Sequence, residues 1–136
     1  MAIVGNVPVR NRIADAIVAA FGASAVIEIR SGARPTNGAD AASGTILWSF
    51  TFDATPWGTT SAGGNAQADV PLEANASATG TAGHFRIRNS GSTEWVYGTV
   101  TATGGGGDIE LASTSITSGQ PVRLTSFTIG TAAWAS

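Results

Sequence analysis

Ala25-Val26-Ile27-Glu28-Ile29-Arg30 and Leu47-Trp48-Ser49-Phe50-Thr51-Phe52 carry the alternation from which the fold is built. In the first, Ala25, Ile27 and Ile29 alternate with Val26, Glu28 and Arg30; in the second, Trp48, Phe50 and Phe52 alternate with Leu47, Ser49 and Thr51. A strand sends successive side chains to opposite faces, so each run predicts a half-buried strand. Further runs of strand character are 68–72, 84–89, 93–103, 108–112 and 121–129, in which threonine is common because its branched Cβ suits a pleated surface. Asn89-Ser90-Gly91-Ser92 is a tight-turn signal, so the strands that hold Phe85 and Trp95 are expected to pair as a hairpin.

Upstream of these strands the period changes. Val9, Ile13, Ala16, Ile17, Ala20 and Phe21 recur at about 3.6 residues, which predicts an amphipathic helix across 7–21. Asn6 can cap it, Pro8 falls in its first turn and Gly22 stops it. Arg10 and Arg12 stand near the positive end of the helix dipole, a mildly unfavourable place that suggests a partner, though solvated surface arginines are the commoner explanation.

The connections 32–44, 54–66 and 75–83 are long and rich in small residues. Two of them, 32–44 and 54–66, exceed about a dozen residues, a length unusual in a compact domain unless the loop is functional or ordered by something else, so these two are expected to point outward toward partners. With no domain boundary or repeat visible, the expectation is one domain over 1–136: a helical segment at 1–23 and, over 24–136, an all-β antiparallel β-sandwich or jelly-roll-like body of about seven or eight strands.

Composition narrows the function classes. The 136 residues include 24 Ala, 18 Gly, 17 Thr and 13 Ser, so just over half of the side chains are small and the core they can build is thin. That favours a chain stabilised by its neighbours, and a homo-oligomer is expected. All seven basic residues are arginine, the acids are scattered and the net charge is −2, which argues against a nucleic-acid surface. No run approaches the roughly 18 apolar residues of a membrane span. The opening 1–12 lacks an export pattern, so a soluble chain that is not exported is expected. The absence of cysteine removes disulfides and thiol chemistry.

Candidate chemistry is sparse. His84, the sole histidine, can be written into a triad with Asp108 and Ser113 or Ser115, but no motif fixes that geometry, and a strand-surface histidine is the simpler reading. Gly104 to Gly107 lacks the following helix and the lysine of a phosphate loop; it predicts a link between two antiparallel strands that binds no phosphate. Asp108 and Glu110 share a strand face without the further oxygen ligands that calcium requires. Asn75-Ala76-Ser77 fits a glycosylation acceptor that carries little weight without export. No catalytic set, cofactor or metal site is expected, and the chain is read as not an enzyme.

The residues left are candidates for contact. Trp95 and Tyr97 point to one strand face, where they can fill a core, anchor an interface or stack on a glycan. Trp57 and Trp134 fall outside the predicted strands and are the better interface candidates, and Trp48 sits in a strand. Arg86 and Arg88 leave the same face as His84, which suggests acids beside them, Glu94 or Glu110 in the sheet or carboxylates of a partner, with an exposed ladder screened by salt as the equal alternative. The expected interface set is therefore Arg10, Arg12, Trp57, Arg86, Arg88, Trp95, Tyr97 and Trp134.

Taken over nearly its full length, the chain resembles a family of small virion structural proteins of tailed bacteriophages. The resembling stretches are Asn11-Arg-Ile-Ala-Asp-Ala-Ile17, Ile29-Arg-Ser-Gly-Ala-Arg-Pro35, Ala82-Gly-His-Phe-Arg-Ile-Arg88, Gly98-Thr-Val-Thr-Ala-Thr-Gly-Gly-Gly-Gly-Asp108 and Ser118-Gly-Gln-Pro-Val-Arg-Leu-Thr-Ser-Phe127. The resemblance implies an accessory piece of the virion, a capsid decoration or cement protein that contacts the major capsid protein, or a tail-associated component. A carbohydrate-binding module using the aromatic residues is the competing function. Exposed aromatics in the assembled state would favour it, and buried ones the structural role.

Overall fold

The computed structural model describes residues 6–52, 65–67, 71–125 and 127–130. Helix α1 (Val7–Phe21) begins as expected: the Asn6 side chain accepts from the Val9 amide at 3.2 Å. It ends at Gly22, whose φ of 61° suits a residue without a Cβ and whose amide reaches the Val18 carbonyl at 3.1 Å. Ten strands follow among the described residues: β1 (Val26–Ser31), β2 (Ile46–Thr51), β3 (Asn65–Gln67), β4 (Leu72–Asn75), β5 (Gly80–Arg88), β6 (Trp95–Ala102), β7 (Ile109–Leu111), β8 (Ser115–Ile116), β9 (Pro121–Leu124) and β10 (Thr128–Gly130).

The main sheet runs β2-β1-β5-β6-β7, with β8 added to the start of β5. Among the described residues β4 also pairs with β9, and β3 with β10. The β5–β6 hairpin forms as expected, and the Asn89 side chain closes its turn by accepting from the Thr93 amide at 2.9 Å. The predicted run 121–129 is interrupted, giving β9 and β10 with different partners.

The sheet is mixed, which corrects the expectation of a purely antiparallel body. β7 lies parallel to β6, pairing Val100 with Ile109 and Ala102 with Leu111. Residues 103–108 alone make this connection, where a parallel crossover usually takes about a dozen residues or more. Positive φ at Gly104 (87°) and Gly106 (80°) lets the chain double back. The Asp108 carboxylate then accepts from the Thr99 amide at 2.9 Å and holds the return path against β6.

One apolar cluster joins α1, the main sheet and the β4–β9 pair. Ile27, Ile29, Trp48, Phe85, Ile87, Val100, Ile109 and Leu111 come from one side of the main sheet. Leu72, Val122 and Leu124 from the β4–β9 pair, with Phe127, join them. Trp48 is fully buried and donates its indole N–H to the Ala74 carbonyl at 3.0 Å, so its polar edge is satisfied inside the core. The Phe85 and Phe127 rings meet edge-on at 5.4 Å.

The helix sits at a different rotation from the one its stripe predicts. Ala14 and Phe21 are buried and Ile17 and Val18 pack against the cluster. Val9, in contrast, is 47% exposed. With Arg12, Ile13, Ala16, Ile17 and Ala20 it lines an open, apolar groove of about 470 Å³.

Candidate functional site

Antiparallel register places Glu28 of β1 directly opposite Arg86 of β5, Val26 opposite Arg88, and Arg30 opposite His84. On the next strand Tyr97 lies opposite Arg86 and Trp95 opposite Arg88. One face of the main sheet is therefore apolar, and the other carries three arginines, a histidine and two aromatics around Glu28, with Glu110 of β7 at its far edge opposite Thr101.

Glu28 is the centre of that face and only 2% exposed. Its Oε1 accepts from Arg30 Nε at 3.0 Å and Arg86 Nε at 3.2 Å. Its Oε2 accepts from Arg88 Nε at 2.9 Å and Arg86 Nη2 at 3.3 Å. Burial pushes the Glu28 carboxyl up, but the hydrogen bonds from Arg86, Arg88 and Arg30, with the charge of Arg86, outweigh it and leave the group below its ordinary value. The carboxylate is thus held ionised by three cations, with salt bridges from Arg30, Arg86 and Arg88 all ending on it.

The 32–44 connection folds back over this face while most of its residues stay exposed. Four sheet side chains donate to its backbone or flanks. Trp95 Nε1 reaches Gly38 O at 2.7 Å, Tyr97 OH reaches Asp40 O at 2.9 Å, and Arg30 Nη1 reaches Ser43 O and Gly44 O at 3.2 and 3.3 Å. His84 Nδ1 lies 2.9 Å from Gly32 O; a carbonyl only accepts, so the ring hydrogen is on Nδ1. The loop sits so closely that a Cβ on Gly83 would fall 2.1 Å from Gly32 O.

The predicted interface residues are distributed unevenly. Arg86, Arg88, Trp95 and Tyr97 converge on the polar face. Trp95 and Tyr97 are half-buried and neither core nor bare platform, because their polar tips are engaged by the loop. The expected partners of the arginines are corrected: Glu94 is exposed in the β5–β6 turn and Glu110 accepts from the Gly104 amide, while Glu28 takes the role. Arg12 borders the helix groove, and Arg10 is half-buried with Nε lacking a hydrogen-bond partner among the described residues. Trp57 and Trp134 lie outside the described residues.

Two sequence candidates for chemistry are placed elsewhere. His84 is fully buried rather than on the strand surface, with its Nε2 unpartnered. Asp108 is bound to Thr99, and Ser113 accepts from the Ser115 amide at 3.2 Å. In the glycine run, the Gly104, Gly105 and Gly107 amides are taken by Glu110, Ala102 O and Thr101 Oγ1. They are not arrayed as a phosphate cradle. Among the described residues no group of three or more His, Asp or Glu could hold a metal ion, and no helix is long and apolar enough to cross a membrane.

Sequence reasoning missed Glu28 because it stands 58 residues from Arg86. A signal was present: Val26-Glu28-Arg30 and His84-Arg86-Arg88 are both polar faces of alternating strands with charges that complement one another. Neither a protein family, nor a curated protein, nor a solved structure matches the chain in comparison.

Proposed function

We propose that the chain is a structural subunit of a tailed-bacteriophage particle, and within that class a capsid decoration or cement protein that binds the major capsid protein and further copies of itself. The reading begins from the resemblance carried by five stretches of sequence. The observation that carries it furthest is the helix groove: Val9, Ile13, Ala16 and Ala20 leave an apolar stripe open on a chain with few large apolar residues. Contact with a neighbour would bury that stripe and add to the stability of a thin-cored domain. In the same reading the main sheet and the two strand pairs form the layers of a jelly-roll-like sandwich. The tied-down tips of Trp95 and Tyr97 weigh against a glycan platform.

Particles from a lysed culture that carries the coding sequence, banded in a density gradient and probed with an antibody to the chain, test the proposal. Co-banding that survives washing is expected. Chain found only in the soluble fraction would overturn it.

A further inference from the structure

Around Glu28 the polar sheet face gathers more positive charge than its salt bridges among the described residues neutralise. Arg30, Arg86 and Arg88 bring three charges to one carboxylate, and Glu28 already accepts four hydrogen bonds, about the number a carboxylate can take. Each guanidinium has five N–H donors. Arg30 directs its outer nitrogen to the Ser43 and Gly44 carbonyls, and Arg88 Nη1 reaches Asn89 O at 3.4 Å. Arg86 Nη1 and Arg88 Nη2 have no hydrogen-bond partner among the described residues. These side chains are neither free nor sealed: Arg86 is 15% and Arg88 22% exposed.

We infer that Arg86 and Arg88, backed by Tyr97 and Trp95, form a receptor for an aspartate or glutamate side chain of a neighbouring protein subunit. Four features support the assignment. The surplus charge demands an anion. The Nε edges of both arginines are fixed by Glu28, so their outer nitrogens are preorganised and little side-chain freedom is lost on binding. Planar guanidinium groups match a planar carboxylate. The flanking tyrosine and tryptophan are, with arginine, the residue types that dominate protein interfaces, and here they are immobilised by bonds to Gly38 and Asp40. The inference deepens the structural-subunit reading by naming the chemistry of one contact, but its test needs no particle.

The full chain, labelled for arginine side-chain NMR, is titrated at constant ionic strength with a capped tripeptide centred on aspartate, with the same peptide centred on asparagine, and with inorganic phosphate. Saturable shifts of the Arg86 and Arg88 Nε signals with the aspartate peptide alone are expected. Arg88→Gln should weaken that response by about tenfold or more. Arg88→Lys, which keeps the charge and removes the fork, serves as the second variant should Arg88→Gln fold poorly, and should also weaken it. Response to phosphate without response to the aspartate peptide would overturn the protein-carboxylate assignment, and equal response to the asparagine peptide or none to any probe would overturn the receptor. Because the titration uses the chain alone, a negative result there is separate from failure to band with particles.

Discussion

Replacing Glu28 by Gln removes one negative charge while keeping the shape of the side chain, and the structure gives the cost. Four donors from Arg30, Arg86 and Arg88 converge on the carboxylate at 2.9–3.3 Å. An amide can accept with its oxygen only, and its NH2 group would face guanidinium donors. Removing one partner of a buried ion pair costs about 3–5 kcal/mol. The arginines are 10–22% exposed and can turn partly to water, which places the expected loss near the lower end, about 3 kcal/mol. For a chain of 136 residues that corresponds to a fall in Tm of about 10 °C.

Urea unfolding of parent and variant at neutral and acid pH is the assay. The carboxyl is depressed in the folded chain, so its stabilisation is fully present above the unfolded value near ~4.3 and is lost as pH falls through the lower folded value. The gap between parent and Glu28→Gln should therefore be full at pH 7 and close progressively below about pH 4. A variant as stable as the parent at pH 7, or a gap that persists unchanged into strong acid, would refute the assignment of Glu28 as the ionised centre of the face.

Three other substitutions probe separate parts of the fold. Gly98→Ala puts a Cβ 2.3 Å from Phe85 Cε1 and 3.0 Å from Asp108 Oδ2, so overpacking should cost about 1–3 kcal/mol in chemical denaturation. Trp95→Phe and Tyr97→Phe each delete one bond to the loop, worth about 1 kcal/mol, and hydrogen exchange across 32–44 should accelerate while the amides of β5 stay protected. Ala14→Asp introduces an unpaired charge at a fully buried helix position and should cost several kcal/mol, whereas Val9→Ser on the open groove should change the monomer's stability by roughly 0.5 kcal/mol or less, read by thermal melts.

What was legible in the sequence was local. The Asn6 cap, the Gly22 stop, the 89–94 turn and the shared face of Trp95 and Tyr97 follow from spacing alone, and each is in place. What covers a face depends on pairings between distant strands, which alternation does not specify. Thus β1 pairing with β5 joined Glu28 to arginines 58 and 60 residues away. The parallel β7 came from glycines whose number suggested a hairpin but whose positive φ values turn the chain back along β6. The helix rotation was hidden for a similar reason: an alanine-rich helix has apolar residues on more than one side, so Ala14 could face inward as readily as Ile13.

Image reconstruction of intact particles from cells that carry the coding sequence is the decisive measurement of whether the chain is a virion subunit. The account predicts symmetrically repeated density that accepts the main sheet and α1, with a neighbouring subunit against the Val9–Ile13 groove and a carboxylate at Arg86 and Arg88. Particles complete in all their density with no copy of this fold would contradict it.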